Sequence, residues 1–340
     1  MVDVDTGIDD ALALLLLLAS PEAHILGIAS TAGNVTAEQV AANNLALLDL
    51  CRARDIEVAL GSAAPLATPL QTTEDTHGPR GLGYAGLPRS RRPLSSRTAA
   101  QLWIDTARNR PGEVVGLCTG PLTNLALALR AEPALPRLLG RLVVMGGSFD
   151  HPGNTTPVAE WNVHVDPEAA QQVFAAFADA PRRPLVCGLN LTESIEMHPS
   201  HLARIAATAR SQPVEYPTPD DPPGERSAAT NPIVRMLSDA VRFYLEFHRD
   251  HGQGYLAHMH DPFAAAVALD PSIVELRPAT IDVELTGTLT RGMTVVDHAG
   301  RWGRPPNVDL AVYTDPDAFF DRLIERVGSY AARVYPPELS

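Results

Sequence analysis

The opening stretch MVDVDTGIDDALALLLLLA, residues 1–19, sets Asp3, Asp5, Asp9 and Asp10 directly before an unbroken apolar run. Read locally, MVDV is a short buried strand, DTGI a turn and DDALALLLLLA the start of a helix, whose first turn favours acidic side chains. The apolar run is too short to span a bilayer and lacks the basic flank of a signal peptide, so it reads as a core helix. Further apolar runs rich in β-branched residues recur at HILGIAS (24–30), IEVALG (56–61), EVVGLCTG (113–120), RLVVMGG (141–147) and PLVCGLN (184–190). Each ends in glycine or a polar residue, as buried strands do. Helical patterns lie between them, among them TAEQVAANNLALLDLCRAR (36–54), which starts on a threonine cap. This alternation predicts an α/β fold: an open, mainly parallel, Rossmann-like sheet covered by helices on both faces. TIDVELTGTLTRGMTVVD (280–297) predicts a C-terminal hairpin, and an amphipathic helix is expected near 315–335. The segment 213–232, with its Pro-rich part at 213–224, reads as an exposed loop or mobile insertion, and no domain boundary is visible within 1–340.

Composition narrows the function. A chain of 340 residues with 45% hydrophobic content buries a large core, and a net charge of -13 argues against nucleic acid or an anionic membrane as partner. All 27 basic residues are arginine, which removes Schiff-base and P-loop lysine chemistry. The widely spaced Cys51, Cys118 and Cys187 suit small buried hydrophobes in a reducing compartment, so a cytoplasmic location is expected.

In open α/β sheets ligands bind outside the carboxyl ends of the strands, where the acidic turn would lie. Four crowded carboxylates repel unless protonated or neutralised, and a hard divalent cation neutralises several at once. Asp9 and Asp10 could instead simply cap their helix. EF-hand spacing fails: counted from Asp3, the sixth position is Ile8 and the twelfth Leu14. A phosphatase with Asp3 as nucleophile and Asp5 as acid is a second reading, although such sites usually hold the phosphoryl group with a lysine, which this chain lacks.

DVDTGIDDALAL resembles the signature of the inosine-uridine nucleoside hydrolase family. TAGN (31–34), TGPLTNLALAL (119–129), MGG (145–147), GNTTPVAEWNVHVDPEAA (153–170) and HDP (260–262) follow in the family's order. The resemblance implies a single nucleoside hydrolase domain that uses Ca2+ to hydrolyse the N-glycosidic bond of ribonucleosides in salvage or catabolism, as a homodimer or homotetramer. By resemblance, Asp5, Asp10, the Thr119 carbonyl and Asp261 hold the metal. Asp5 also takes the proton from the attacking water, and His260 is a candidate acid for the leaving base. Asp9, Asn34, His77, Asn154, Glu160 and Asn162 are placed on the substrate, and Asp3 behind the turn. A non-catalytic, calcium-dependent nucleoside- or ribose-binding protein is the alternative from another class.

Other expectations are local. An extended stretch would put Glu160 and Asn162 on one side and turn Trp161 away to pack. His77 would lie on a glycine-rich loop (76–86) able to move over the site, and His258 would be exposed. Residues 241–262 should contact the base, with Phe243, Tyr244, Phe247, His248 and Tyr255 as stacking candidates. Only Met1 and Val2 precede the first Asp, so either the start lies upstream or the amino terminus sits close to the metal site.

Overall fold

A computed structural model of the chain describes residues 1–53 and 55–337. Its strands are β1 (Val2–Val4), β2 (Ile28–Ser30), β3 (Val58–Leu60), β4 (Val115–Cys118), β5 (Arg141–Met145), β6 (Leu185–Cys187), β7 (Glu196–Met197), β8 (Ala257–His258), β9 (Val274–Ala279), β10 (Ile281–Val283), β11 (Thr294–Val296) and β12 (Val308–Thr314). Eight of these form one sheet in the order β3-β2-β1-β4-β5-β6-β12-β9, parallel throughout except for β9, which runs antiparallel to β12. The first six strands follow the doubly wound order, and the winding reverses between β1 and β4, which is where such sheets open a ligand crevice.

The six predicted strands all fall in this sheet, and β10 and β11 pair as the predicted antiparallel hairpin. The helix expected near 315–335 spans Pro316–Val334. The helix expected over 36–54 spans Ala37–Leu50, with the Gln39 amide donating to the Thr36 hydroxyl at its start. Arg54, at the end of that expectation, lies outside the described residues, as do 338–340 at the end of the predicted domain. The segment 213–231 has no helix or strand, but it is not a free insertion. Glu215 accepts from the Ala228 amide at 2.6 Å, Asp221 pairs with the buried Arg242 at 3.1 Å, and Glu246 accepts from the Gly224 amide.

Strand β1 is as short as expected, yet it is held on both sides, with Val2 opposite Ile28 on β2 and Leu117 on β4. Met1 lies at the amino end of this strand, where its nitrogen donates to the Val115 carbonyl at 3.0 Å. It is therefore at the opposite end from the acidic turn, not beside it. Alternation along the strands feeds two cores: Val2, Val4, Val143 and Met145 face one, and Leu142, Val144 and Val186 face the other. Asp3 points into the second core. Its carboxylate accepts from the Trp103 indole at 2.7 Å, from Asn124 at 3.0 Å and from the Thr31 hydroxyl.

Trp103 is fully buried, so Trp103→Phe leaves Asp3 short of a donor in a site that water does not reach. The expected loss of stability is about 1–3 kcal/mol by urea denaturation. A loss below about 0.5 kcal/mol would show that this bond contributes little.

The helix Ile8–Ala19 has eleven of its twelve residues buried and packs along the helix His260–Leu269, whose Ala264, Ala265 and Ala266 allow close approach. The amino ends of these two helices meet at the carboxyl end of β1. Asp9 and Asp10 stand in the first turn of one helix and Asp261 in the first turn of the other.

Candidate active site

The turn after β1 is fixed by its own side chains. Asp10 Oδ2 accepts from the Gly7 amide at 2.8 Å, and Asp10 Oδ1 from the Thr119 hydroxyl at 2.6 Å. Asp5 Oδ2 accepts from the Asn34 amide at 2.9 Å. Gly7 is required by close approach, because a Cβ there would stand 2.6 Å from both Asn34 Nδ2 and His77 Nδ1. Asn34 lies four residues beyond the end of β2, in the turn that brings its amide over Asp5.

Carboxylate oxygens of Asp9, Asp10 and Asp261 lie within 4.8 Å of one another, all buried, and Asp5 lies against Asp10. Asp5 also acts on Asp261, so the expected metal residues Asp5, Asp10 and Asp261 and the sugar candidate Asp9 stand together. Burial pushes all four carboxyls above the ordinary range, and repulsion between them adds to this for Asp5, Asp9 and Asp261, with Asp9 reaching about 7. Among the described residues, Asp5 Oδ1 and Asn34 Oδ1 are buried acceptors without a hydrogen-bond donor. Excess negative charge together with orphaned oxygens fits a hard cation held by oxygen ligands.

Beside the cluster opens a cleft of about 410 Å3, within the range of small-ligand sites. Asp9, Asp261, Asn34 and Thr119 line its inner end, with Asn154, Glu160 and Asn162 along one wall. Glu160 and Asn162 do not lie on an extended stretch, because Glu160 caps the helix Trp161–Val165. Its carboxylate accepts from the Asn162 amide at 2.8 Å, from Val163 at 3.1 Å and from Gly147 at 2.9 Å. The helical turn brings Trp161 onto the cleft wall rather than into packing behind it. Asn162 Nδ2 donates to the Thr119 carbonyl at 2.7 Å, and Asn154 Oδ1 accepts from the Trp161 amide at 2.9 Å.

Another part of the lining is a run of neighbouring aromatic and imidazole rings: Tyr244, Phe247, His248, His251, His258 and His260. Phe243 and Tyr255 pack against the core instead. None of 213–224 lines the cleft. His77 is not on a swinging loop, being buried in the helical turn Glu74–His77 with Nδ1 accepting from the Ile8 amide at 3.1 Å. Burial, with His248 nearby, lowers its pKa to about 3, so it stays neutral.

His260 Nδ1 shares a hydrogen bond of 2.8 Å with Thr192 Oγ1. Burial and the facing His258, His248 and His77 hold its pKa well below the usual value. His258, expected to be exposed, is half-buried on β8 and lines the cleft, with its ring 4.9 Å from that of His248 and 5.6 Å from that of His260. Thr192, Glu193 and His251 were not singled out by local reading, and Trp161 and His258 were placed away from the site. The phosphatase reading loses its nucleophile, since both Asp3 oxygens are occupied on the far side of the strand from the cleft.

A parallel sheet with carboxylates at its switch point and a polar cleft beside them is the layout of an α/β protein with a small-ligand site at that point. The profile described as inosine-uridine preferring nucleoside hydrolase matches residues 1–321. The pyrimidine-specific ribonucleoside hydrolase RihA of Salmonella paratyphi A is 36% identical over 332 residues, covering 97% of this chain and 98% of that protein. The RihA of Citrobacter koseri is 36% identical over 333 residues, covering 98% of each. The solved structure of the purine-preferring ribonucleoside hydrolase from Gardnerella vaginalis superposes with a TM-score of 0.84 at 28% identity, covering 97% of this chain and 98% of that one. The chain belongs to the inosine-uridine preferring nucleoside hydrolase family and is an N-glycosyl hydrolase of ribonucleosides.

Proposed function

We propose that the chain hydrolyses ribonucleosides with calcium, in nucleoside salvage or catabolism, using Asp5, Asp10, the Thr119 carbonyl and Asp261 to hold the cation. The observation that carries the reading is the buried group of like charges with an orphaned Asp5 oxygen. When bound, the cation neutralises these carboxylates, lowers the pKa of the water it orients and fixes the ribose hydroxyls.

The remaining work falls to the chain. Asp5, whose Oδ1 has no donor, takes the proton of the attacking water as the oxocarbenium-like ribosyl centre develops. Asp9 opens onto the cleft and, with Asn34, Asn154, Glu160 and Asn162, grips the sugar hydroxyls. His77, neutral and fixed by the Ile8 amide, presents its other face to the substrate. His260 donates a hydrogen bond to the departing base, with Thr192 setting its ring.

Thr192 is a positioning residue, so Thr192→Val should lower kcat about ten-fold, the scale of one hydrogen bond to the departing base, with KM little changed. A rise in KM at constant kcat would place Thr192 in binding instead. The three free cysteines, all buried, support the cytoplasm, and the all-oxygen donor set supports calcium. The homodimer or homotetramer is carried over from the family resemblance. Among the described residues no helix is long and apolar enough to cross a membrane.

A nucleoside panel with calcium tests the function by reducing-sugar release. Ribose release is the expected result. Tight nucleoside binding without release would favour the non-catalytic alternative, and phosphate release from an ester in place of ribose release would contradict the reading.

A further inference from the structure

Beyond the sugar-binding groups, one acidic side chain of the cleft has no structural task. Glu193 follows Thr192, whose hydroxyl holds His260, and it lines the cleft beside His258 and His260. Its side chain is 34% exposed, and among the described residues its carboxylate accepts no hydrogen bond. The imidazole facing it is His151, whose Nε2 lies 3.6 Å away, too far for a hydrogen bond. The other carboxylates on this cleft are accounted for: Glu160 caps a helix, Asp75 accepts from the Thr73 hydroxyl at 2.8 Å, and Asp9 and Asp261 belong to the acidic cluster. Burial raises the Glu193 pKa, and His151 opposes that rise.

An ionised carboxylate only accepts hydrogen bonds, so the ligand edge facing it must carry N–H donors. Cytosine and adenine present an exocyclic amine at the position where uracil and hypoxanthine present a carbonyl oxygen. An amine there donates to Glu193, whereas the oxo bases bring a carbonyl acceptor to that position and keep only the neighbouring ring N–H as a donor, so the amino base makes the better match. From this geometry we infer that Glu193 is a specificity-determining residue that reads the leaving base, favouring amino bases (cytidine, adenosine) over their oxo counterparts (uridine, inosine).

The inference rests on the reading of this cleft as a nucleoside site, with His260 at the base end. Its test compares kcat/KM for cytidine against uridine, and for adenosine against inosine, in the wild-type protein and in Glu193→Gln. The wild-type protein should prefer the amino member of at least one pair by about ten-fold, the scale of one charge-assisted hydrogen bond. Glu193→Gln, whose amide also offers a donor to a carbonyl, should bring that ratio to near unity or below. A wild-type protein without an amino preference in either pair, or an amino preference unchanged in Glu193→Gln, would overturn the inference.

Competitive binding of free cytosine and uracil, measured by calorimetry on the same two proteins, reads the base end without turnover. If no nucleoside released ribose, the proposed function would fail. A cytosine preference lost in Glu193→Gln would still support this assignment, and equal binding of the two bases by the wild-type protein would refute it.

Discussion

Asp5→Asn is expected to lower kcat/KM for every nucleoside hydrolysed by about 10²- to 10⁴-fold, the range contributed by a positioned general base. The substitution removes a base and a charge while keeping the local structure. The asparagine side-chain oxygen can still accept from the Asn34 amide, which now donates to Asp5 Oδ2 at 2.9 Å. At saturating calcium, nucleoside affinity read by KM should change less than kcat, since Asp9, Asn34, Asn154, Glu160 and Asn162 remain to hold the sugar. Retention of more than about a tenth of the activity would mean that the proton goes elsewhere.

The second large effect is on stability. Asp5, Asp9, Asp10 and Asp261 all have folded-state pKa values above the ordinary carboxylate value of 3.8. The cation-free fold therefore holds more protons than the unfolded chain in the window from 3.8 to about 7 set by Asp9, and its stability falls as pH rises through that window. Calcium at 100 times its Kd should restore about 2.7 kcal/mol at neutral pH, seen as a rise in Tm. Asp10→Asn, which removes one of the repelling charges, should make the chelated protein more stable at neutral pH and abolish most of the calcium-dependent rise. A chelated protein whose Tm is flat between pH 4 and 7 would contradict this picture of the cluster.

The acidic turn was legible because its chemistry is local: strand, Gly7 and two helix-leading aspartates follow one another in the chain. The six predicted strands were legible for the same reason, as short apolar runs with polar ends. What local reading missed depends on distant partners. β12 (VDLAVYT) joins the sheet through β6 and β9, and only this pairing reveals it as a strand. Trp161 was turned away from the cleft by assuming a two-residue period. The Glu160 side chain instead caps a helix there, and three residues fix that choice. His258 gained its place from the pairing of Glu196 with His258, which folds two distant segments against the cleft. Thr192 and Glu193 carry no motif of their own and become visible only when the helix His260–Leu269 docks beside them.

The central claim, that the acidic cluster needs a divalent cation to make this cleft a nucleoside hydrolase, is tested most directly by titrating calcium into chelator-stripped protein while ribose release from a nucleoside is recorded. The expected result is negligible release without the ion and a saturable rise that reaches its plateau at one calcium per chain. Full ribose release from the stripped protein in the presence of chelator would contradict it.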